Sequence, residues 1–322
     1  MAQAQGRGGG VLKILFWGTP VFALPSLRAL SEEGHEIVGV VTQPDRPSGR
    51  GRKLTPTPVK ELAEEEGFPL FLPDKPTGEA FLRRLREVEP ELSVVVAYGH
   101  ILKPELLSLP SGGSINLHAS LLPELRGAAP VNWAILRGYG TTGVSIMRMV
   151  PAMDAGPVIF QTQERIGPSE TASELSTRLS EVGAEALVEA LVLLGEGAAE
   201  EVEQDESEAT YAPKLHREMA RVDWTRKAVE LGWHLRGLDQ VPGAWSVLGS
   251  ESVKLFCPRP EPRFTHGSRP GTILETDSEA GLLVACGSGA LWVEEIQSPG
   301  KRRMATGAWL QGRPSVEGSR FE

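Results

Sequence analysis

Apolar and polar positions alternate along this chain in two distinct rhythms. Residues 11–17 form a short apolar run ending at Gly18, after which Phe22, Leu27 and Leu30 fall at helical spacing up to a stop at Gly34. Residues 37–41 are a second, β-branched run. A strand, a helix and a strand in that order predict a parallel sheet joined by crossover helices. Thr57 and Pro58 have the residue types of an N-cap and first helical position for a helix reaching Gly67, and Thr77 predicts the cap of another running to Val88. Strand-like runs follow at residues 92–97, 114–118, 143–149 and 158–166. Leu175, Leu179, Val182, Leu187, Leu191 and Leu194 then share one stripe, which predicts a long amphipathic helix over 171–194, its continuity left open at Gly183.

Beyond residue 195 the rhythm changes. Ala, Glu and Gly without apolar periodicity predict an interdomain linker or an exposed strand. One helix-like stretch, 225–238, precedes five short strand-like runs at 245–248, 253–256, 272–275, 282–285 and 290–296, separated by Gly, Ser and Pro. That spacing predicts a small β-barrel of the OB type, a fold that often binds nucleic acid. The predicted organisation is a leader over 1–10, a Rossmann-like α/β domain over 11–204, a linker over 205–219 and the barrel domain over 220–322. A length of 322 residues suits two domains.

Composition narrows the classes. With 40% hydrophobic and 23% charged residues, the chain is that of a folded globular protein. The longest apolar runs, such as 92–98 and 186–194, fall well short of the ~20 residues a membrane helix needs. Residues 1–10 lack an apolar signal core. Cys257 and Cys286 are too few for a disulfide scaffold and lack metal-ligand spacing, which fits a cytoplasmic protein with both thiols buried and inert. The net charge of −9 is unevenly spread: residues 1–210 carry 18 basic against 29 acidic side chains, residues 211–322 carry 15 against 13. The back half is the part better suited to a polyanion.

Candidate chemistry concentrates in three places. After the first strand, Gly18-Thr19-Pro20 stands where a dinucleotide-binding protein would have GxGxxG, and Pro20 lacks the amide a phosphate would use. A nicotinamide enzyme is disfavoured, and the tripeptide is either a plain strand-to-helix turn or a part of the cleft wall. In the run Ser114-Ile115-Asn116-Leu117-His118, alternate residues share a face, so Asn116 and His118 lie about 6–7 Å apart on one side with Ile115 and Leu117 turned to the core. The third place is the stretch 43–54, where Arg46, Arg50, Arg52 and Lys53 outnumber the single acid Asp45. Pro44, Pro47, Gly49 and Gly51 predict an irregular basic loop at a strand's carboxyl end. Arginines there suit phosphate and guanine contacts, the alternative being a solvated loop.

The segments VVVAYG, SINLHASLLPELRGAAP and Met153-Asp154-Ala155-Gly156 resemble the formyltransferase family that uses 10-formyltetrahydrofolate. FWGTPVFALPSL, VTQPDRPSGRGRKLTPTPVK, TYAPKL and GTIL are similar, more narrowly, to its methionyl-tRNA formyltransferases. Ala119, where many relatives have Gly or Pro, is a small departure that leaves the polar face untouched.

The resemblance implies formyl transfer from 10-formyltetrahydrofolate to the amino group of methionine on initiator methionyl-tRNA. It assigns Asn116 and the His118 imidazolium to the negative oxygen of the tetrahedral intermediate, at ~3–4 kcal/mol per well-placed donor. Asp154 would orient His118 and take the amine proton, directly or through water, in a site that needs no metal. By residue type alone Asp154 is equally a turn former before Gly156. Folate is expected against Ala97, Tyr98 and Gly99 and against the turn Ser120, Leu121, Leu122 and Pro123, through backbone donors and acceptors. Arg46, Arg50, Arg52 and Lys53 are expected to contact the tRNA acceptor end, with Lys214 a second contact or an ordinary surface lysine. A monomer with no membrane association is expected. The rivals are a sugar or nucleotide formyltransferase with the same donor, which leaves the basic loop without a purpose, a formyl-folate hydrolase or dehydrogenase domain, and a non-catalytic RNA-binding protein.

Overall fold

A computed structural model describes residues 10–48, 53–311, 313 and 315–322. Contacts group the chain into two bodies: residues 1–127, 142–164 and 176–211, and residues 128–141, 165–175 and 212–322. The boundary after Tyr211 falls inside the stretch 205–219 that composition marks as linker, so residues 205–211 belong with the first body.

The first body is built on a seven-stranded sheet. In chain order β1 (Lys13–Gly18), β2 (Glu36–Val41), β5 (Leu70–Phe71), β6 (Leu92–Val96), β7 (Ser114–His118), β8 (Thr141–Arg148) and β9 (Val158–Arg165) take the spatial order β5-β2-β1-β6-β7-β8-β9. Strands β5 through β7 pair in parallel and β8 runs antiparallel to β7. Its helices are α1 (Leu24–Glu32), α2 (Pro58–Glu66), α3 (Glu79–Glu87), α4 (Pro104–Leu107) and most of α6 (Ala172–Gly195), while α5 (Pro130–Leu136) belongs to the second body. The cap expected for α2 is formed: the Thr57 hydroxyl accepts from the Lys60 amide and Gly67 closes the helix at φ 73°. Thr77 does not cap α3; Gly78 takes that position with no side-chain bond.

The helix α6 runs unbroken through Gly183. A Cβ at Gly183 would sit 2.8 Å from Leu117 of β7, so glycine there marks the closest approach of helix to sheet. β7 is consequently covered, and Ser114, Ile115, Leu117 and His118 are all buried while Asn116 is half-buried. A strand paired on both sides within a covered sheet has little of either face open to solvent.

The expected irregular loop over 43–54 contains regular structure: β3 (Arg46–Ser48) and β4 (Lys53–Thr55) form an antiparallel ribbon. Pro47, opposite Leu54, is tolerated because half the amides of a two-stranded ribbon face outward and need no partner. Arg50 and Arg52 lie outside the described residues, as does the leader up to residue 9.

In the second body β10 (Trp245–Leu248), β11 (Glu251–Glu261), β12 (Ile273–Asp277), β13 (Gly281–Ala285) and β14 (Ala290–Gln297) pair antiparallel in the order β10-β11-β14-β13-β12. The strand β11 extends past residue 256 through Pro258 and Pro260, which pair with Val293 and Leu291. The chain terminus closes this sheet into a barrel. Val247 and Glu322 exchange backbone hydrogen bonds at one edge, while at the other Phe321 donates to Gly271 and Ile273 donates to Ser319. The short β15 (Met304–Ala305) adds to β14, followed by α8 (Thr306–Leu310). Inside, α7 (Ala228–Gly237) places Leu231 and Leu235 against Leu255, Leu282, Val293 and Phe321.

Phe321 is buried and stacks on Trp224 at 5.5 Å between centroids. Phe321→Ala should therefore lower the unfolding free energy of this body by about 3–5 kcal/mol, read by urea denaturation, because it opens a cavity and frees the closing segment together. Burial, with Arg226 nearby, pushes His234 on α7 down from 6.5 to about 4. The folded state holds it neutral where the unfolded chain binds a proton, so its contribution is complete above pH 6.5 and is lost as pH falls toward 4. Urea midpoints between pH 7 and 5 should fall more steeply for the wild type than for His234→Gln.

Candidate active site

β7 ends at His118, in register with Ser145 on β8, and Asn116 lies between Val95 on β6 and Met147 on β8. His118 is 6% exposed, and its Nε2 lies 3.0 Å from the Leu125 carbonyl. A carbonyl only accepts, so Nε2 carries the hydrogen and the ring is fixed with Nδ1 toward Asp154. The Nδ1 to Asp154 Oδ2 distance is 3.8 Å, too long for a hydrogen bond and short enough for an ion pair when the ring is charged. The Asn116 carboxamide has no hydrogen-bond partner among the described residues and is the half-buried member of β7.

Asp154 reaches this position through an unusual backbone. Its φ is +52°, in the left-handed region that a residue with a side chain occupies at a cost of about 1–2 kcal/mol. Its Oδ2 accepts from the Gly127 amide at 2.8 Å. Gly156 fits only as glycine, since a Cβ there would lie 1.9 Å from the Arg148 carbonyl. Gln204 donates from Nε2 to the carbonyls of Asp154 at 2.9 Å and Gly156 at 2.7 Å. The segment following Gln204 holds the other side of the site: Thr210 Oγ1 accepts from the Leu125 amide, and the Thr210 carbonyl from the Arg126 amide.

The residues expected to meet folate form two braced turns. At the first, Ala97 and Gly99 have φ of +49° and +87° and are exposed, so a flat ring approaching them meets backbone and at most a methyl group. Tyr98 between them turns inward, its ring 5.2 Å from Trp17 and its phenol pushed up to about 12 by burial. Its hydroxyl has no partner among the described residues, and only its backbone faces the turn. The Tyr98 carbonyl accepts from Thr19 Oγ1 and from Gln43 Nε2, both at 2.9 Å. Thr19 thereby ties the Gly18-Thr19-Pro20 turn to the backbone of the Tyr98 turn. At the second turn, Leu122 is buried with its amide donating to Ser145 Oγ and its carbonyl accepting from Gln161 Nε2. Ser120 donates to the Glu124 carbonyl.

The basic ribbon is anchored at its base. Thr42 and Thr57 share a hydroxyl hydrogen bond at 2.8 Å, and Lys60 binds both oxygens of Asp45 at 2.8 and 2.9 Å. That carboxylate holds the Lys60 ammonium above the ordinary lysine range. The one acid of the stretch is thus neutralised from α2, and Arg46 and Lys53 are exposed without an ion-pair partner among the described residues. Lys214 is exposed on the second body. The bracing residues Gln43, Ser145, Gln161 and Gln204 left no mark in the sequence, because a polar side chain bonded to a distant carbonyl follows no periodicity. No group of three or more His, Cys, Asp or Glu among the described residues converges as a metal site, and no described helix is long and apolar enough to cross a membrane.

Residues 12–191 match the formyl transferase family and residues 214–314 match the formyl transferase C-terminal domain. The chain is 45% identical over 307 residues to a methionyl-tRNA formyltransferase of Moorella thermoacetica, covering 95% of this chain and 98% of that protein. It is 44% identical to the methionyl-tRNA formyltransferase of Geobacter sulfurreducens, covering 96% of each. Among solved structures, an N-formyltransferase from Helicobacter canadensis bound to folinic acid and dTDP-3-aminofucose aligns at TM-score 0.67 and 15% identity, over 89% of this chain and all of that one. HypX from Aquifex aeolicus with tetrahydrofolic acid aligns at 0.65 and 19% identity, over 97% of this chain and 51% of that one. At those identities the likeness is one of fold. Sequence match over nearly the full length, together with the two domain matches, places the chain in the formyl transferase family, on its methionyl-tRNA formyltransferase branch.

Proposed function

We propose that this protein transfers the formyl group of 10-formyltetrahydrofolate to the free amino group of methionine on initiator methionyl-tRNA, as a cytoplasmic monomer. The observation that carries the proposal is the unpartnered Asn116 amide two residues from His118, whose Nδ1 faces Asp154 at 3.8 Å, in a chain 45% identical to a methionyl-tRNA formyltransferase over nearly its whole length. In this reading the amine nitrogen bonds to the formyl carbon and the bond from that carbon to the folate nitrogen breaks. The proton released by the amine goes to Asp154, directly or through water, and on to the departing nitrogen. Asn116 and the His118 imidazolium meet the negative oxygen as it develops. The Leu125 carbonyl holds one nitrogen of the ring and leaves Nδ1 facing the Asp154 carboxylate. The donor is read to lie across the turns Ala97 to Gly99 and Ser120 to Pro123, where Ala97 and Gly99 are exposed and the backbone of both turns is held from behind.

The ribbon carrying Arg46 and Lys53, with Arg50 and Arg52 between them, is the proposed reader of the tRNA acceptor end. Lys214 and the second body give further hold on the polyanion. An aminosugar nucleotide acceptor is the alternative within the family. Its representatives here are the distant structural neighbours, against 40–45% identity to methionyl-tRNA enzymes. Incubating the protein and 10-formyltetrahydrofolate with charged initiator tRNA and a UDP-aminosugar in competition, then weighing the products, decides between them.

Asn116→Ala, His118→Ala and Asp154→Ala should each lower kcat by about 100-fold or more with folding and tRNA binding preserved, and pairs of them should cost less than the sum of the singles. Steady-state kinetics at saturating substrates checks this, and near-normal turnover in any one variant removes that residue from the mechanism. Arg46→Ala, Arg50→Ala and Lys53→Ala should lower kcat/KM on initiator tRNA while leaving folate binding unchanged. Each lost phosphate contact should reduce the salt slope of binding by about one. Wild-type salt dependence in all three variants would place tRNA recognition elsewhere.

A further inference from the structure

We propose that Gln204 is a positioning residue for formyl transfer, acting through Asp154; this assignment rests on the catalytic reading of Asp154 given above. Its place follows from a buried guanidinium. Arg126 is 2% exposed and has only donors to offer. Its Nε and one terminal nitrogen both donate to Gln204 Oε1, at 3.0 and 2.8 Å, while both terminal nitrogens donate to the two oxygens of Glu206, at 2.9 and 2.8 Å. Glu206 is 69% exposed, so the ion pair closes the site toward solvent while Gln204 faces inward.

The Gln204 amide consequently has one permitted orientation. Its oxygen must face the arginine, which cannot accept, and its nitrogen must face the carbonyls of Asp154 and Gly156, which cannot donate. Those two carbonyls flank a turn whose first residue is held at φ +52° and whose last is pressed against Arg148. The left-handed conformation sets the direction of the Asp154 carboxylate, and Gln204 bonds the carbonyls on either side of Ala155 at once. Without it, Asp154 is free to relax toward an ordinary backbone, which would swing the carboxylate away from His118. The Gly127 amide holds the same carboxylate, and Gly127 follows Arg126 directly. One buried arginine therefore supports both grips on Asp154.

The test is a double-mutant cycle in the full-length protein, with Gln204→Met and Gln204→Glu, each alone and combined with Asp154→Asn. Gln204→Met keeps the length and removes both carbonyl bonds. Gln204→Glu keeps an acceptor for Arg126, and so guards against simple misfolding, while setting an oxygen against the two carbonyls. Both should lower kcat about tenfold or more in the wild-type background, with KM for methionyl-tRNA and for 10-formyltetrahydrofolate within about twofold. In the Asp154→Asn background the same substitutions should change kcat by less than about twofold, because the group they position is already lost. Equal effects in the two backgrounds, or a loss confined to KM, would overturn the assignment. Asp154→Asn with wild-type kcat would overturn the catalytic reading itself, and this assignment with it.

Discussion

The buried guanidinium of Arg126 is the constraint around which the catalytic part of the chain is arranged. A group with five donors and no acceptor is tolerated inside a protein only when those donors are used, and here four hydrogen bonds go to Gln204 and Glu206, some eighty positions further along, with a further side-chain contact to Tyr211. Satisfying Arg126 draws residues 204–211 across the turn after β7, where the backbone of Thr210 bonds to Pro123 and Arg126. That crossing aligns Leu125 to receive His118 and Gly127 to receive Asp154. A polar strap performs here what apolar packing performs elsewhere in the sheet. Its bonds to carbonyls and amides fix directions, whereas packing fixes mainly volumes.

The same division of labour recurs at two turns, Ala97 to Gly99 and Ser120 to Pro123. Each is a stretch of backbone with small or inward-turned side chains, and each is held from behind by a hydroxyl and a glutamine: Thr19 with Gln43 at Tyr98, Ser145 with Gln161 at Leu122. Such turns offer a ligand a preformed surface whose ordering cost has been met in folding. Gln43 also begins the segment that carries the basic ribbon, so the ribbon's base and the Ala97 to Gly99 turn share one hydrogen bond. The ribbon is clamped by Thr42 to Thr57 and Asp45 to Lys60, with Arg46 exposed next to that clamp and Lys53 exposed further along, opposite Ser48.

The second body meets a different demand. An antiparallel sheet of short strands has two edges that would otherwise remain unpaired. The last residues of the chain occupy both, with Glu322 on β10 and Phe321 beside β12, and Phe321 buried against Trp224. Closure is therefore local to the terminus, and Leu231 and Leu235 of α7 share one buried core with Leu255 and Val293 of the sheet.

By itself the sequence determined what depends on near neighbours. Apolar period placed the longer strands of both bodies but neither of the two-residue strands β5 and β15, Thr57-Pro58 and Gly67 marked α2 because capping is a contact over three or four positions, and Asn116 with His118 stood out because a strand sets residues two apart on one side. The motif resemblance added Asp154 to that pair. Tertiary structure alone decided what depends on contacts across the chain. The extension of β11 through Pro258 and Pro260, the ribbon in the basic stretch and the uninterrupted α6 at Gly183 are each set by a partner that local propensity does not see: β14, the facing strand of the ribbon, and Leu117. Gln204 and Arg126 belong to the same class. In sequence one is a polar residue in an acidic stretch and the other a cation after a turn. Their meeting, 78 positions apart, sets the Gln204 amide against the carbonyls of Asp154 and Gly156.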